Sequence, residues 1–220
     1  MQRLEPLGLD RVLSAQVSSF RINRGSLDIE FWLNFFTPSK ADTLLSTLLR
    51  ETPWQQPDLV ICGKRVKMPR LTAWYGDPGA TYVYSGLRNE PQPWTPALSE
   101  LRAELEATAK SPFNSVLLNY YRDGNDSMGW HRDNEPELRT RPCIASVNLG
   151  APRGFQLRDV RPAVAGNRKI HEIELTHGSL LVMRGETQQA WEHCIPRERG
   201  LNDPRINLTF RSVEPRVRRT

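Results

Sequence analysis

The chain has 220 residues, of which 38% are hydrophobic, and this suffices for one soluble domain with a sizeable core. Its net charge of +5 favours a polyanionic partner such as nucleic acid, although an ordinary basic protein would show the same excess. The sequence has no apolar run near the ~18 residues of a membrane span, no apolar core of a secretory signal and no C-x-x-C pair among its three cysteines. We therefore expect a cytoplasmic protein that does not associate with membranes.

Two helices are predicted in the N-terminal half, after an irregular lead-in over residues 1–25. Each helix begins with the same signal, a threonine N-cap followed by proline at the first helical position, at Thr37–Pro38 and at Thr95–Pro96. Leucines at helical spacing follow both signals and predict amphipathic helices to about residues 50 and 110. We assign these helices no chemistry.

Before and between the helices, the pattern predicts short strands and turns. Residues 27–32 predict a first strand and 82–84 another, whereas Cys62–Arg65 and Asp77–Gly79 predict turns, the first of them exposed and basic. Tyrosines interleaved with arginine and lysine suit base stacking and phosphate contact. They equally suit the half-buried edge of a sheet, which is the favoured interpretation for this pattern alone.

From residue 115 onward the helical period disappears and short alternating segments take over. Strands are predicted at 115–121, 143–149, 154–158, 170–175, 179–183, 189–194 and 205–211. Many short strands that follow helices predict an α+β protein whose site is carried by a β-sandwich or barrel. We expect residues 1–220 to form a single domain.

The last predicted strand alternates without a fault. Its apolar side is formed by Ile206, Leu208 and Phe210, and its polar side by Arg205, Asn207, Thr209 and Arg211. Alternation alone favours an antiparallel strand with one face in the core and one in water. However, arginine matches carboxylates bidentately, and the two arginine Cα atoms would lie about 20 Å apart at ~3.3 Å per residue. Inward-leaning side chains would leave a space of the order of a short dicarboxylate.

A candidate metal site begins at His131 and Asp133. Two residues apart on an extended strand, they project to the same side, and a second histidine would complete the two-His-one-carboxylate triad that suits non-haem Fe(II). The spacing alone also fits a surface histidine in a salt bridge. His171, His177 and His193 are all available as third ligand. His177 lies at a predicted turn, where a local hydrogen bond is expected, so His193 is favoured.

Together these residues resemble the AlkB family of Fe(II)- and 2-oxoglutarate-dependent nucleic-acid demethylases. The matching patterns are Asn119-x-Tyr121, His131-x-Asp133, His193 and Arg205-x-Asn207-x-Thr209-x-Arg211, with upstream segments such as PRLTAWYGDPG and HGSLLVM. The resemblance is greatest to the branch that repairs N-alkylated adenine and cytosine. It implies a double-stranded β-helix, a cupin-like jelly roll, at 113–213, with N-terminal helices and a nucleotide-recognition segment at 57–90.

The resemblance also implies a role for each matched residue. His131, Asp133 and His193 would hold Fe(II) as catalytic and metal-binding residues. Arg205 would pair with the distal carboxylate of 2-oxoglutarate and Arg211 would lie near its iron-chelating end. The other implied cosubstrate residues are Asn119, Tyr121, Asn207 and Thr209, and the implied substrate residues are Arg70, Tyr82, Tyr84, Ser85, Asn134 and Glu135.

The implied reaction is oxidative demethylation of 1-methyladenine and 3-methylcytosine in DNA and, as a further candidate, RNA. It would consume O2 and 2-oxoglutarate and release succinate, CO2 and formaldehyde. We expect a monomer. We also expect a preference for single-stranded or locally opened DNA, because the loop Val60–Gly63 lacks the bulky aromatic wedge of duplex-specialised relatives. Asn134, where the repair branch commonly has an acidic residue, is a further departure that bears on the preferred substrate.

Three alternatives remain beside this interpretation. An oxygenase that acts mainly on RNA or on protein would use the same chemistry. A non-catalytic nucleic-acid-binding module would need a broken triad, which this sequence does not show. A zinc hydrolase would offer no role for Arg205 and Arg211.

Overall fold

The computed structural model describes residues 19–61, 63–84, 87–138, 140–161 and 169–214, and for residues 59, 61, 82–84 and 87–89 it describes the backbone alone. The helices of these residues are Pro38–Glu51 (α1), Pro96–Ala109 (α2) and Thr187–Ala190 (α3). None of the described helices is both long and apolar enough to cross a membrane.

Within the described residues, fifteen strands account for most of the regular structure. They are Ser19–Arg24 (β1), Leu27–Trp32 (β2), Asp58–Ile61 (β3), Lys64–Lys67 (β4), Leu71–Gly76 (β5), Tyr82–Tyr84 (β6), Leu87–Asn89 (β7), Ser115–Tyr121 (β8), Met128–His131 (β9), Ile144–Gly150 (β10), Arg153–Asp159 (β11), Ile170–Leu175 (β12), Ser179–Arg184 (β13), Trp191–Ile195 (β14) and Arg205–Arg211 (β15).

The strands form two main sheets and two hairpins. The larger sheet has seven strands in the order β1-β2-β13-β10-β15-β8-β5, and the smaller has four in the order β12-β11-β14-β9. β3 pairs with β4 and β6 with β7 as separate hairpins. All the pairings between consecutive neighbours in the two large sheets are antiparallel. This arrangement agrees with the predicted jelly roll, and the division into domains stays a prediction.

Two hydrophobic clusters place the sheets relative to the helices. In the first, leucines of α1 and α2 pack on the apolar face of the larger sheet, which includes Ile206, Leu208 and Phe210. In the second, residues of the larger sheet such as Ile29 pack against Leu157 and its neighbours in the smaller sheet. β15 therefore turns its apolar residues towards the helices and its polar residues towards the smaller sheet.

The predicted helices are confirmed. The hydroxyl of Thr37 accepts from the N–H of Lys40 at 3.3 Å, and that of Thr95 accepts from the N–H of Leu98 at 3.3 Å. These bonds satisfy amide groups that a helix start leaves without intrahelical partners. α2 ends at Ala109, and the C-cap residue Lys110 takes the left-handed conformation with φ 51°.

Most predicted strands are confirmed to within a residue or two, and two predictions are wrong. Residues 19–24 form β1 rather than an irregular lead-in, because pairing with β2 compensates for a weak apolar pattern. Residues 189 and 190 belong to α3, so the strand predicted at 189–194 begins only at Trp191. The predicted basic turn near residue 63 is the tip of the β3–β4 hairpin, and Cys62 lies outside the described residues.

Candidate functional site

The two histidines favoured as metal ligands lie on neighbouring strands of the smaller sheet. His193 of β14 pairs directly with His131, the last residue of β9. Asp133 follows two residues later, and its carboxylate and the two imidazoles offer ligand atoms that all lie within 4.8 Å of one another. Asp133 and His193 are buried, whereas the side chain of His131 is 24% exposed. The group is thus accessible to solvent on the side of His131.

The expectation that His131 and Asp133 share one strand is wrong. β9 ends at His131, and Asp133 lies in the bend that follows. Its backbone N–H bonds to the side chain of Gln188 at 3.0 Å instead of to a neighbouring strand. The carboxylate therefore reaches the histidines from a loop, which the sequence spacing does not show.

The other two histidines lie elsewhere. His171 on β12 packs against the ring of Trp191, with 5.7 Å between ring centroids. Nδ1 of His177 accepts from the N–H of Gly150 at 2.8 Å, so it does bond at a turn, but to a residue distant in sequence. Among the described residues, the group of three around His193 is the one whose ligand atoms converge.

The protonation states within this group suit a divalent cation. Burial lowers the pKa of His193 to about 3 and also lowers the pKa of His131. Burial would raise the pKa of Asp133, but the charge of Arg211 and the hydrogen bond that it donates outweigh burial, so the pKa is lowered. Two neutral imidazoles and a carboxylate are the ligand forms that metals require. Two histidines and one carboxylate leave coordination positions open, as in non-haem Fe(II) sites.

β15 joins this group to the interior of the larger sheet. All seven of its residues are buried, so its polar face does not meet solvent. Nη2 of Arg211 donates to Oδ1 of Asp133 at 2.7 Å, and both side chains are 3% exposed. The strand's far end carries Arg205, which lines the same cavity as the metal group.

Arg205 is a buried cation whose donors are only partly used. Its Nη2 donates to Oδ1 of Asn148 at 2.6 Å, whereas Nε and Nη1 have no hydrogen-bond partner among the described residues. Burial lowers the pKa of Arg205 to about 10, which still leaves it charged at neutral pH. Burying a charge is costly unless it is paired. These donors therefore fit the carboxylate of an anion that enters the cavity.

The side chains of Asn207 and Thr209 make hydrogen bonds to each other and to residues of β10. Nδ2 of Asn207 donates to Oγ of Ser146 at 2.8 Å and also lies 3.2 Å from Oδ1 of Asn148, while its Oδ1 accepts from Thr209. Both residues line the cavity. In this arrangement they hold Asn148, and through it Arg205, in place. Their direct contact with a cosubstrate stays a prediction.

Ser146 and Asn148 were missed by sequence reasoning. Both lie on β10, where Ser146 pairs with Thr209 and Asn148 pairs with Asn207 of the neighbouring strand β15. The alternation of Ser146 and Asn148 with apolar residues was available in the predicted strand 143–149. It becomes meaningful only once β10 is known to pair with the arginine strand.

β8 pairs with β15 on the side away from β10, and it brings Tyr121 beside Arg205 and Asn119 beside Asn207. The guanidinium of Arg205 lies over the Tyr121 ring, 5.0 Å from its centroid, and that of Arg153 lies 5.6 Å from it. Arg153, also missed, donates to the carbonyls of Asp126 at 2.9 Å and Pro196 at 2.6 Å. It thereby fixes two loops behind the cavity wall.

The predicted substrate residues are only partly described. Arg70 is buried, and its Nε donates to Oδ1 of Asn119 at 2.7 Å, so it supports the cavity wall. Asn134 is exposed and Glu135 half-buried, directly after Asp133. The backbones of Tyr82 and Tyr84 form β6, and Ser85 lies outside the described residues. Substrate contact by these six residues stays a prediction.

Comparisons with known proteins agree with this geometry. Residues 28–211 match the 2OG-Fe(II) oxygenase superfamily. The chain is 38% identical over 218 residues to mouse alpha-ketoglutarate-dependent dioxygenase alkB homolog 3, covering 96% of this chain and 74% of that protein. It is 38% identical over 206 residues to human DNA oxidative demethylase ALKBH2, covering 91% and 78%.

A solved structure supports the fold. The structure of OsALKBH1 matches with a TM-score of 0.60 at 16% identity, over 87% of this chain and 98% of that chain. This likeness confirms the predicted fold class. Taken with the buried His-Asp-His group and the two relatives, it leads to one assignment: the chain belongs to the 2OG-Fe(II) oxygenase superfamily and, within it, to the AlkB family of dioxygenases.

Proposed function

We propose that this protein is an oxidative demethylase of N-alkylated bases, such as 1-methyladenine and 3-methylcytosine, in nucleic acid. The observation that carries the proposal is the buried ion pair between Asp133 and Arg211, which joins an open His-Asp-His group to an arginine strand. A metal and a dicarboxylate would thus bind in one cavity. Relatives named as alkB homolog 3 dioxygenases and DNA oxidative demethylases support the substrate class.

The described residues fit the Fe(II), 2-oxoglutarate and O2 that this family uses. When bound, iron would supply the oxidising chemistry that hydroxylates an N-methyl group, which leaves as formaldehyde while 2-oxoglutarate becomes succinate and CO2. His131, Asp133 and His193 would hold the metal. Arg205 would bind the distal carboxylate through the Nε and Nη1 donors that lack partners among the described residues.

The walls of the cavity restrict water around these groups. Phe155, Leu175, Met183 and Ile195 line it together with the polar residues of β15. An apolar wall excludes water and strengthens the interactions of the charged groups opposite it. The partly exposed side chain of His131 marks the side from which a base would approach.

The function is tested by measuring succinate and formaldehyde with the purified protein, Fe(II), 2-oxoglutarate and O2. The substrates are matched DNA and RNA strands that carry 1-methyladenine, 3-methylcytosine or no methyl group. We expect formaldehyde in proportion to the methyl groups lost from DNA, and none from the unmethylated strand. Metal analysis after anaerobic purification distinguishes an iron enzyme from a zinc hydrolase. Formaldehyde released from neither the methylated DNA nor the methylated RNA would contradict the proposal.

We expect the enzyme to act about tenfold or more faster on a single strand than on a duplex, because extrusion of a base costs a few kcal/mol. The β3–β4 hairpin supports this expectation. Val60 is 66% exposed and is smaller than an aromatic wedge, while Lys64 and Arg65 are exposed and can hold phosphates.

The measurement is kcat/KM for 1-methyladenine in one sequence at fixed salt, alone and annealed to its complement. A duplex with a mismatch opposite the lesion is the control and should fall between the two. Equal or higher activity on the matched duplex would overturn this interpretation of the hairpin.

A further inference from the structure

Gln188 lies beside the metal group without belonging to it. The residue is 1% exposed and belongs to the short helix α3. Oε1 accepts a hydrogen bond from the backbone N–H of Asp133 at 3.0 Å, and Nε2 donates to Sδ of Met183 at 3.2 Å. One amide thus connects the carboxylate ligand to a side chain that lines the cavity.

The backbone N–H of Asp133 depends on this acceptor. Asp133 lies beyond the end of β9, where the strand ladder no longer provides a partner. A buried backbone N–H is almost always hydrogen-bonded, because leaving it unpaired is costly. The loop that carries Asp133 therefore stays where the glutamine oxygen can be reached. A second bond strengthens the connection, since Nη1 of Arg132 donates to the carbonyl of Gln189 at 2.9 Å.

α3 is itself fixed to the larger sheet. The hydroxyl of Thr187 accepts from the N–H of Asp28 at 2.9 Å and lies 3.2 Å from the carbonyl oxygen of the same residue. Asp28 belongs to β2, which pairs with β13. Hydrogen bonds of Thr187 and Gln188 thus connect Asp133 to the larger sheet, in addition to the covalent connection through β9.

We propose that Gln188 is a positioning residue that holds Asp133 in the geometry needed for metal binding. The inference rests on the proposed iron site but not on the identity of the methylated substrate. Methionine would fill a similar volume without offering an oxygen acceptor. Glutamate keeps the acceptor and the chain length, although it adds a carboxyl group close to that of Asp133. Metal affinity is therefore expected to decrease from wild type to Gln188→Glu and to be lowest in Gln188→Met.

The matched control is Gln189→Met. Gln189 is the next residue of α3, and its side chain is exposed. Its contact with the loop uses the backbone carbonyl, which this substitution retains. The same chemical change is thus made once at the proposed positioning residue and once beside it.

The test is anaerobic titration with Co(II), a probe whose visible absorption reports ligand geometry, together with thermal unfolding. We expect Gln188→Met to weaken Co(II) binding by about 10–100-fold, the range for partners that orient metal ligands, and to change the spectrum. Gln189→Met should match wild type in both respects. Gln188→Glu should recover part of the affinity.

Co(II) affinity and a spectrum equal to wild type in a folded Gln188→Met protein would overturn the inference. If that variant does not fold, the comparison moves to Gln188→Glu and Gln188→Asn, because asparagine is too short to reach the Asp133 N–H. Equal binding by these two would overturn it as well. If the wild-type protein releases no formaldehyde from methylated DNA or RNA while Gln188→Met still loses Co(II) affinity, the positioning role is supported and the proposed substrate class is rejected.

Discussion

Replacement of Asp133 by asparagine is expected to reduce turnover by more than about 100-fold, since even the loss of a partner that merely orients a metal ligand costs up to about that factor. Asparagine has nearly the same shape, so Arg211 can still donate to its side-chain oxygen. The amide is, however, a poor substitute for a charged ligand of Fe(II). The fold should therefore survive while metal affinity and demethylation are lost. Co(II) titration, formaldehyde release and thermal unfolding measure the three properties separately.

Alanine at the same position should behave differently. It removes the carboxylate from a buried ion pair, and breaking a buried pair in this way typically costs about 3–5 kcal/mol. Asp133→Ala is thus expected to lose stability as well as activity. Asp42→Asn, which alters a carboxylate whose side chain is 74% exposed, is the control and should change neither. Substantial Fe(II)-dependent demethylation by either Asp133 variant would contradict the assignment of this ligand.

The final strand, β15, shows how much of a structure can be predicted from the local sequence. Its alternation predicted both the bounds 205–211 and the division into an apolar and a polar face, and both are found. A strand that is half exposed gives the same alternation, so burial of the polar face could not be derived from it. The two arginines were the signal, because charged residues face the interior only where an anion or another charge accompanies them.

The helix starts were predictable for a similar reason. A threonine N-cap and a proline at the next position act within one turn, so no distant residue is needed to interpret them. The neighbours of Arg205 are different. Asn148 and Tyr121 lie on strands that are far away in sequence, and strand order is set by the whole sheet.

The position of Asp133 was beyond local reasoning too. His-x-Asp spacing suggests a shared strand, but β9 ends between the two residues. The backbone N–H of the aspartate bonds instead to the side chain of Gln188, fifty-five positions away in sequence. Hydrogen bonds between a side chain and a distant backbone group leave no period in the sequence, and so neither Gln188 nor Arg153 could be recognised before the fold was known.

At the other end of the cavity, replacement of Arg205 by methionine should raise the KM for 2-oxoglutarate by at least about 30-fold, because removal of one partner from a buried charge pair costs about 2 kcal/mol or more. Lysine keeps the charge but cannot reproduce the two-donor fork, so Arg205→Lys should have a smaller effect in the same direction. Turnover at saturating 2-oxoglutarate should fall less than the KM rises, since Arg205 does not touch the metal group.

The stability of these variants distinguishes a ligand-binding arginine from a structural one. Without 2-oxoglutarate, Nε and Nη1 of Arg205 lack partners among the described residues, so methionine should leave the unfolding temperature unchanged or raise it. Added 2-oxoglutarate should stabilise the wild type by mass action and the methionine variant far less. Arg50→Met, at a residue whose side chain is 67% exposed, is the control. An unchanged KM in Arg205→Met, or a large loss of stability without ligand, would show that this guanidinium serves the fold and not the cosubstrate.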